Sequence, residues 1–258
     1  MNNQIPSFEN VVNAYELVKQ YASYTPIHQS KTVNDILGAN LFLKCENFQK
    51  VGAFKFRGAS NAVFSLTYEE AKFGVITHSS GNHAAALALA ASMRGIPSYI
   101  VMPDNAPLIK KKAVAGYGAK ITFCSPTQKD REETQAKIQT ETGATFIHPY
   151  NNFNVICGQG TASLELLEEI PDIEVVIAPV GGGGLLSGTL TYVKGFNPHI
   201  KIYGAEPANA DDAFRSLRDK TIYPSVSPKT IADGLLTSLC ELTYGIIFAK
   251  CDGILTVS

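Results

Sequence analysis

The sequence holds no surplus of charge. Its 258 residues carry 22 lysines and arginines against 23 aspartates and glutamates, a net charge of −1 at pH 7. Nucleic-acid binding needs a concentrated basic field, and here the lysines are scattered, so no nucleic-acid partner is expected. Long apolar runs are missing too. None approaches the roughly 20 residues of a membrane helix, so no membrane partner is expected. The start, Met1 to Pro6, has neither the basic residues nor the apolar stretch of a signal peptide. There are five cysteines (Cys45, Cys124, Cys157, Cys240 and Cys251), an odd count with no C-x-x-C pair. That argues against a disulfide framework or a zinc ribbon, and for a reducing, cytoplasmic setting. Repeats, low-complexity stretches and obvious linkers are also lacking.

What is present is core material. Hydrophobic residues make up 45% of the chain, enough for one large domain or two modest ones. Short β-branched runs alternate with helical stretches. Strands are expected at 74–77, 98–102, 120–124, 145–147, 175–180 and 200–205, and helices at 84–93, 106–115, 129–142, 160–169 and 185–192. This rhythm predicts an α/β protein with open, parallel, twisted sheets and helices on both faces. The run Val175 to Val180 is apolar without alternation, which predicts a fully buried strand. Open parallel sheets bind ligands in the loops at the carboxyl ends of their strands.

Two such loops carry chemistry. Gly181-Gly182-Gly183-Gly184 lies between an apolar strand and a helix. Glycines let backbone N–H groups turn inward, and a helix N-terminus adds partial positive charge, so the loop suits a phosphate. Its spacing is neither that of a Walker A motif nor a clean G-x-G-x-x-G, which argues against nucleoside triphosphates and dinucleotides there. Ser79-Ser80-Gly81-Asn82-His83 opens the alanine-rich helix and gathers hydroxyls, an amide and free N–H groups, a set that can hold a carboxylate. A third segment, Gly52 to Gly58, sets Lys55 among small and apolar residues. A desolvated lysine is a competent Schiff-base nucleophile.

Together with Gly158-Gln159-Gly160-Thr161, these motifs stand in the order and spacing of the fold-type II pyridoxal-phosphate enzymes. From about Thr25 onward the chain resembles their serine racemase and serine/threonine dehydratase branch. The resemblance implies a tryptophan-synthase-β-like fold, with residues 1–73 and 152–258 forming a large cofactor-binding domain and 74–151 a small one. It implies that Lys55 holds pyridoxal 5'-phosphate as a Schiff base and that Phe54 packs on the cofactor ring. Asn82 would meet the ring's phenolic oxygen, and Gly181, Gly182, Gly183, Gly184 and Leu185 would bind the phosphate. Ser79, Ser80, Gly81, Asn82 and His83 would receive the substrate carboxylate, with Ser80 as a second catalytic base. The implied activity is serine racemisation, β-elimination to pyruvate and ammonia, or both; the alternatives are a threonine or 3-hydroxyaspartate ammonia-lyase and a non-catalytic cofactor-binding subunit.

Beyond the strand at 200–205, Glu206 to Asp212 supplies carboxylates and turn carbonyls, hard ligands for Mg²⁺, Mn²⁺ or Ca²⁺. In the racemase branch the matching positions are Glu206, the carbonyl of Ala210, and Asp212. The resemblance further implies a homodimer. An ATP site would fall near Ser30-Lys31-Thr32 and Lys50, where only Ser30 and Lys50 look similar. The chain departs from the family in two places. Ala53 stands where many relatives carry serine. Relatives also continue beyond Ser258, so the last strand, 253–258, is expected to lack a cover over its apolar surface.

Overall fold

Side-chain oxygens decide where many of the helices begin. A computed structural model describes residues 4–79 and 81–258. Ser7 caps α1 (Phe8–Val18), accepting from Asn10 N, and the Asn10 side chain returns a bond to Ser7 N. After β1 (Ile27–His28), α2 (Lys31–Leu37) is capped by Ser30, and β2 (Leu43–Lys44) pairs antiparallel with β1. Two short 3₁₀ turns lead to α3 (Lys55–Phe64), which is followed by the single turn α4 (Tyr68–Ala71).

The next stretch alternates strand and helix: β3 (Val75–His78), α5 (Asn82–Arg94), β4 (Ser98–Pro103), α6 (Leu108–Gly116), β5 (Lys120–Cys124), α7 (Gln128–Thr142) and β6 (Thr145–Phe146). These strands form one parallel sheet in the order β5-β4-β3-β6. The charged helix α7 buries only Gln135, as its composition predicts. The remainder runs α8 (Phe153–Glu169), β7 (Val175–Pro179), α9 (Gly184–Phe196), β8 (Lys201–Pro207), α10 (Asp212–Asp219), α11 (Glu241–Lys250) and β9 (Gly253–Val257). Here the parallel order is β7-β8-β9.

Two expectations need correction. Helix α8 starts at Phe153, well before the expected Gly160, because Asn152 caps it by accepting from Val155 N. Its glycines do not break it, since they lie where helices meet backbone to backbone. A Cβ on Gly158 would stand 2.6 Å from the Arg57 carbonyl oxygen of α3, and one on Gly160 would stand 2.7 Å from that of Gly188 in α9.

Strand β7 is not fully buried. Val176 and Ala178 face the helices, but Val175 and Ile177 are 49% and 59% exposed. Leu255 and Val257 of β9 are exposed on the same face of the sheet. Among the described residues that face has no covering layer, so an apolar run that reads as two-sided burial is covered on one side only.

Candidate active site

The chain reaches Lys55 through two consecutive left-handed residues, Val51 (φ 59°) and Gly52 (φ 69°). Lys55 is the first residue of α3 and points its amine away from the helix, to the carbonyl oxygen of Pro149 at 3.1 Å. The ring of Phe54 lies 5.3 Å from that amine. No carboxylate pairs with Lys55 among the described residues. Burial of the amine lowers its pKa to about 8. At neutral pH about one such lysine in ten is uncharged, against about one in three thousand for an ordinary lysine. That is the form a carbonyl captures.

Two residues on, Arg57 shows the opposite treatment of a buried cation. It is fully buried and forks onto two carboxylates. Nε and Nη2 donate to Glu46 (both 2.8 Å), and Nη1 and Nη2 donate to Glu165 (both 2.7 Å). Lys44 pairs with Glu165 at 2.7 Å, so the cluster holds two cations and two anions. It fastens the first turn of α3 to α8 and to the segment around Glu46.

The glycine loop leaves the carboxyl end of β7 and opens α9. Gly183 is left-handed (φ 84°), a conformation that favours glycine. The loop is packed on two sides. A Cβ on Gly182 would lie 2.4 Å from the Tyr150 ring, and one on Gly181 would lie 3.1 Å from Leu235 Cα. The pocket edge thus includes Pro149, Tyr150 and the segment Gly234 to Leu239, which the motif reading missed. The one available signal was position: His148-Pro149-Tyr150 follows directly after the carboxyl end of a parallel strand.

The turn after β3 stands in the same relation to its own sheet. Ser79 N donates to Val101 O at 3.1 Å, and Gly81 N to Ser79 Oγ at 3.4 Å. Asn82 is exposed at the start of α5. Ser80 lies outside the described residues.

His83 is buried, and its Nε2 lies 3.2 Å from the Ile147 carbonyl oxygen. A carbonyl only accepts, so Nε2 carries the hydrogen and Nδ1 keeps a lone pair, which has no partner. Burial, with the nearby charge of Lys55, lowers the His83 pKa to about 3. The ring is therefore neutral, and Nδ1 has no hydrogen to offer a carboxylate.

The acidic cluster is genuine but small. Glu206 and Asp212 are both buried, whereas Asp211 pairs with Arg215 at 2.8 Å. Glu206 accepts from Phe214 N at 2.6 Å and Ala213 N at 3.2 Å. Even so, burial and the charge of Asp212 raise its pKa to about 7. Burial raises that of Asp212 to about 6, and Asp212 Oδ2 has no hydrogen-bond partner. No cluster of three acidic, histidine or cysteine ligands occurs among the described residues.

A buried lysine with a lowered pKa and a glycine loop at a helix N-terminus are features that a pyridoxal-phosphate site requires. Comparison with known families agrees: residues 18–258 match the family of pyridoxal-phosphate dependent enzymes. The chain belongs to that family, as a fold-type II enzyme of the racemase and ammonia-lyase branch. It is 49% identical to the β-hydroxyaspartate dehydratase of Paracoccus denitrificans, over 98% of this chain and 81% of that protein. It is 46% identical to the serine racemase of Dictyostelium discoideum, over 98% and 78%. The structure of maize serine racemase superposes with a TM-score of 0.97 at 45% identity, covering 98% of this chain and 77% of that one.

Proposed function

We infer that this protein acts on a small β-hydroxy amino acid, with serine as the leading substrate, by racemisation and by elimination to pyruvate and ammonia. The observation that carries the reading is the Lys55 amine, which has a lowered pKa and no counter-charge among the described residues. It is held one residue from Tyr150, whose ring packs on the glycine loop. Identity to a β-hydroxyaspartate dehydratase supports 3-hydroxyaspartate as the second candidate substrate.

The residues present fit pyridoxal phosphate. The phosphate falls to the free N–H groups of Gly181 to Leu185, the ring to Phe54 and Asn82, and the aldehyde carbon to Lys55. When bound, the cofactor stores the electron pair left at Cα. Lys55 takes the proton from Cα on one face. Ser80 serves the other face, returning a proton for racemisation. Ser79, Gly81, Asn82 and the His83 backbone N–H hold the carboxylate; the neutral His83 ring props the turn against Ile147. In elimination, the Cβ hydroxyl leaves as water, and hydrolysis of the remaining enamine yields pyruvate and ammonia. On this reading the residues are shared between a small domain, 74–151, and a large one, 1–73 with 152–258.

Glu206, the carbonyl of Ala210 and Asp212 would hold one divalent cation, Mg²⁺ or Mn²⁺ first and Ca²⁺ second. Two buried carboxylates with raised pKa values and an unpaired oxygen support that assignment. Support for a homodimer comes from α2, which buries no residue and exposes Ile36 and Leu37. For ATP the support is weakest: Ser30 already caps α2, and the Lys50 amine already meets the Tyr21 carbonyl. Cytoplasmic residence rests on five cysteines that are all free thiols.

The deciding experiment incubates cofactor-loaded protein with L-serine and measures D-serine by chiral chromatography and pyruvate by a coupled assay. Neither product from L-serine, with product from L-threo-3-hydroxyaspartate, would move the assignment to the dicarboxylate substrate.

A further inference from the structure

One ion pair joins the two halves of the molecule across the site. Lys110, in α6 of the four-stranded half, pairs with Asp233, in the segment that precedes α11. The two are 123 residues apart in sequence, and their side chains are 30% and 66% exposed. Such a pair in isolation contributes little to stability. Its placement gives it a different role.

On one side, the Lys110 amine faces the side of Gly81 on which a side chain would stand. It lies 4.0 Å from where a Gly81 Cβ would stand. Gly81 belongs to the turn assigned to the substrate carboxylate. On the other side, Asp233 begins the segment that covers the glycine loop. Gly234 O and Leu235 Cα would lie 3.3 and 3.1 Å from a Cβ on Gly181, and Thr237 Oγ1 3.5 Å from it. A single short segment therefore touches the phosphate side of the site and reaches over to its carboxylate side. The bond that completes the reach is Lys110–Asp233.

We propose that Lys110 and Asp233 form an electrostatic clasp that closes the mouth of the site and sets how readily molecules enter it. Entry requires the pair to separate. An incoming carboxylate bound for the Gly81 turn meets the Lys110 ammonium on its way and competes with Asp233 for it. The carboxylate of the substrate thus opens the clasp that a neutral molecule of the same size leaves shut. Neither residue touches the reacting atoms. Both act on access, and the inference rests on the site assignment given above.

The test reads access without turnover. Hydroxylamine, a small neutral nucleophile, strips the cofactor from Lys55, and loss of the absorbance of the lysine-bound cofactor gives the rate. Stripping of cofactor-loaded parent protein is compared with Lys110→Gln, Asp233→Asn and the exchanged pair Lys110→Asp with Asp233→Lys. At low ionic strength each single variant should be stripped about threefold faster than the parent, the scale of a partly exposed pair. Added sodium chloride should speed stripping of the parent and leave the single variants unchanged, because salt screens only an existing pair. The exchanged pair should restore slow, salt-sensitive stripping, a result that mere loss of packing cannot produce. Equal rates in parent and single variants, or an exchanged pair no slower than the singles, would overturn the clasp. A parent protein that shows no lysine-bound cofactor would instead overturn the site assignment, and the clasp with it.

Discussion

The Arg57 cluster and the Glu206–Asp212 cluster are both buried and both charged, yet they are built on opposite terms. Around Arg57 every charge has a partner within the chain: two carboxylates, two cations and bonds of 2.7–2.8 Å. Around Glu206 the buried anions have no ion-pair partner among the described residues, because the neighbouring Arg215 pairs with Asp211; burial raises their pKa values, and one oxygen of Asp212 is unpaired. Lys55 is the mirror image of the second case, a buried amine with no paired anion among the described residues. The difference separates frame from function. A buried charge that the chain neutralises by itself holds elements together. A buried charge left uncompensated is a candidate for something that arrives from outside: on the reading proposed above, a carbonyl for Lys55 and a cation for the carboxylates.

The sharpest way to break this division is at Lys55. Lys55→Ala should abolish all turnover and the absorbance of the lysine-bound cofactor while leaving the fold in place. A borohydride-reducible cofactor adduct surviving in that variant would show that another residue holds the cofactor.

Arg57→Ala should do the reverse and fail chiefly in stability. It leaves Glu46 and Glu165 with too little positive charge in a buried setting, a loss of about 3–5 kcal/mol. Urea denaturation monitored by circular dichroism measures it. A loss below about 1 kcal/mol would mean that solvent reaches the cluster on relaxation.

The acidic cluster makes a smaller, signed prediction. Its folded-state pKa values lie above the ordinary ones, about 7 against 4.5 for Glu206 and about 6 against 3.8 for Asp212. Between about pH 4 and 7 the folded chain keeps protons that the unfolded chain has released. Stability contributed by this pair is therefore present at low pH and is lost as the pH rises through the folded values. A divalent cation bound there would take the place of those protons. In chelator, the melting temperature should fall between about pH 5 and 7.5; with added Mg²⁺ the fall should shrink, and Asp212→Asn should no longer respond to the ion. Identical curves with and without Mg²⁺ would remove the cation from this site.

Smallest in energy, yet most specific, is Ser80→Ala. It should remove D-serine production from L-serine and retain pyruvate, because only racemisation needs a proton carrier on both faces of Cα. Unchanged racemisation would dismiss Ser80 as the second base.

Most of this architecture was legible in the residues because the parallel strands are marked by their own chemistry. Runs such as Tyr99-Ile100-Val101-Met102 are β-branched or apolar, end at proline or a polar turn, and lead into helices at the expected places. The loops carrying Lys55, Ser79 to His83 and Gly181 to Gly184 were legible for the same reason, lying at strand ends or among conspicuous glycines. The walls of the site were not. Pro149 and Tyr150 act through a backbone carbonyl and a ring face, which no local pattern announces. Asp233 acts through a partner 123 residues away. The tautomer of His83 depends on a carbonyl in another element. The burial of β7 was misread because an apolar strand looks the same in sequence whether one face is covered or two.

The contacts of Gly58, Gly158, Gly160 and Gly188 have a consequence for how this protein can change. Helices α3, α8 and α9 meet largely through backbone atoms, so side-chain rotamers at the junction can do little to absorb a substitution. A single methyl at Gly158 or Gly188 would stand 2.5–2.6 Å from a neighbouring backbone atom, nearer than a Cβ comes to any non-bonded atom. Side-chain cores can drift through a series of nearly equal packings. This junction has no such intermediate steps. Laboratory evolution of the enzyme toward new substrates would therefore find its freedom in the loops around the pocket, whereas libraries that vary these four glycines would yield mostly unfolded chains.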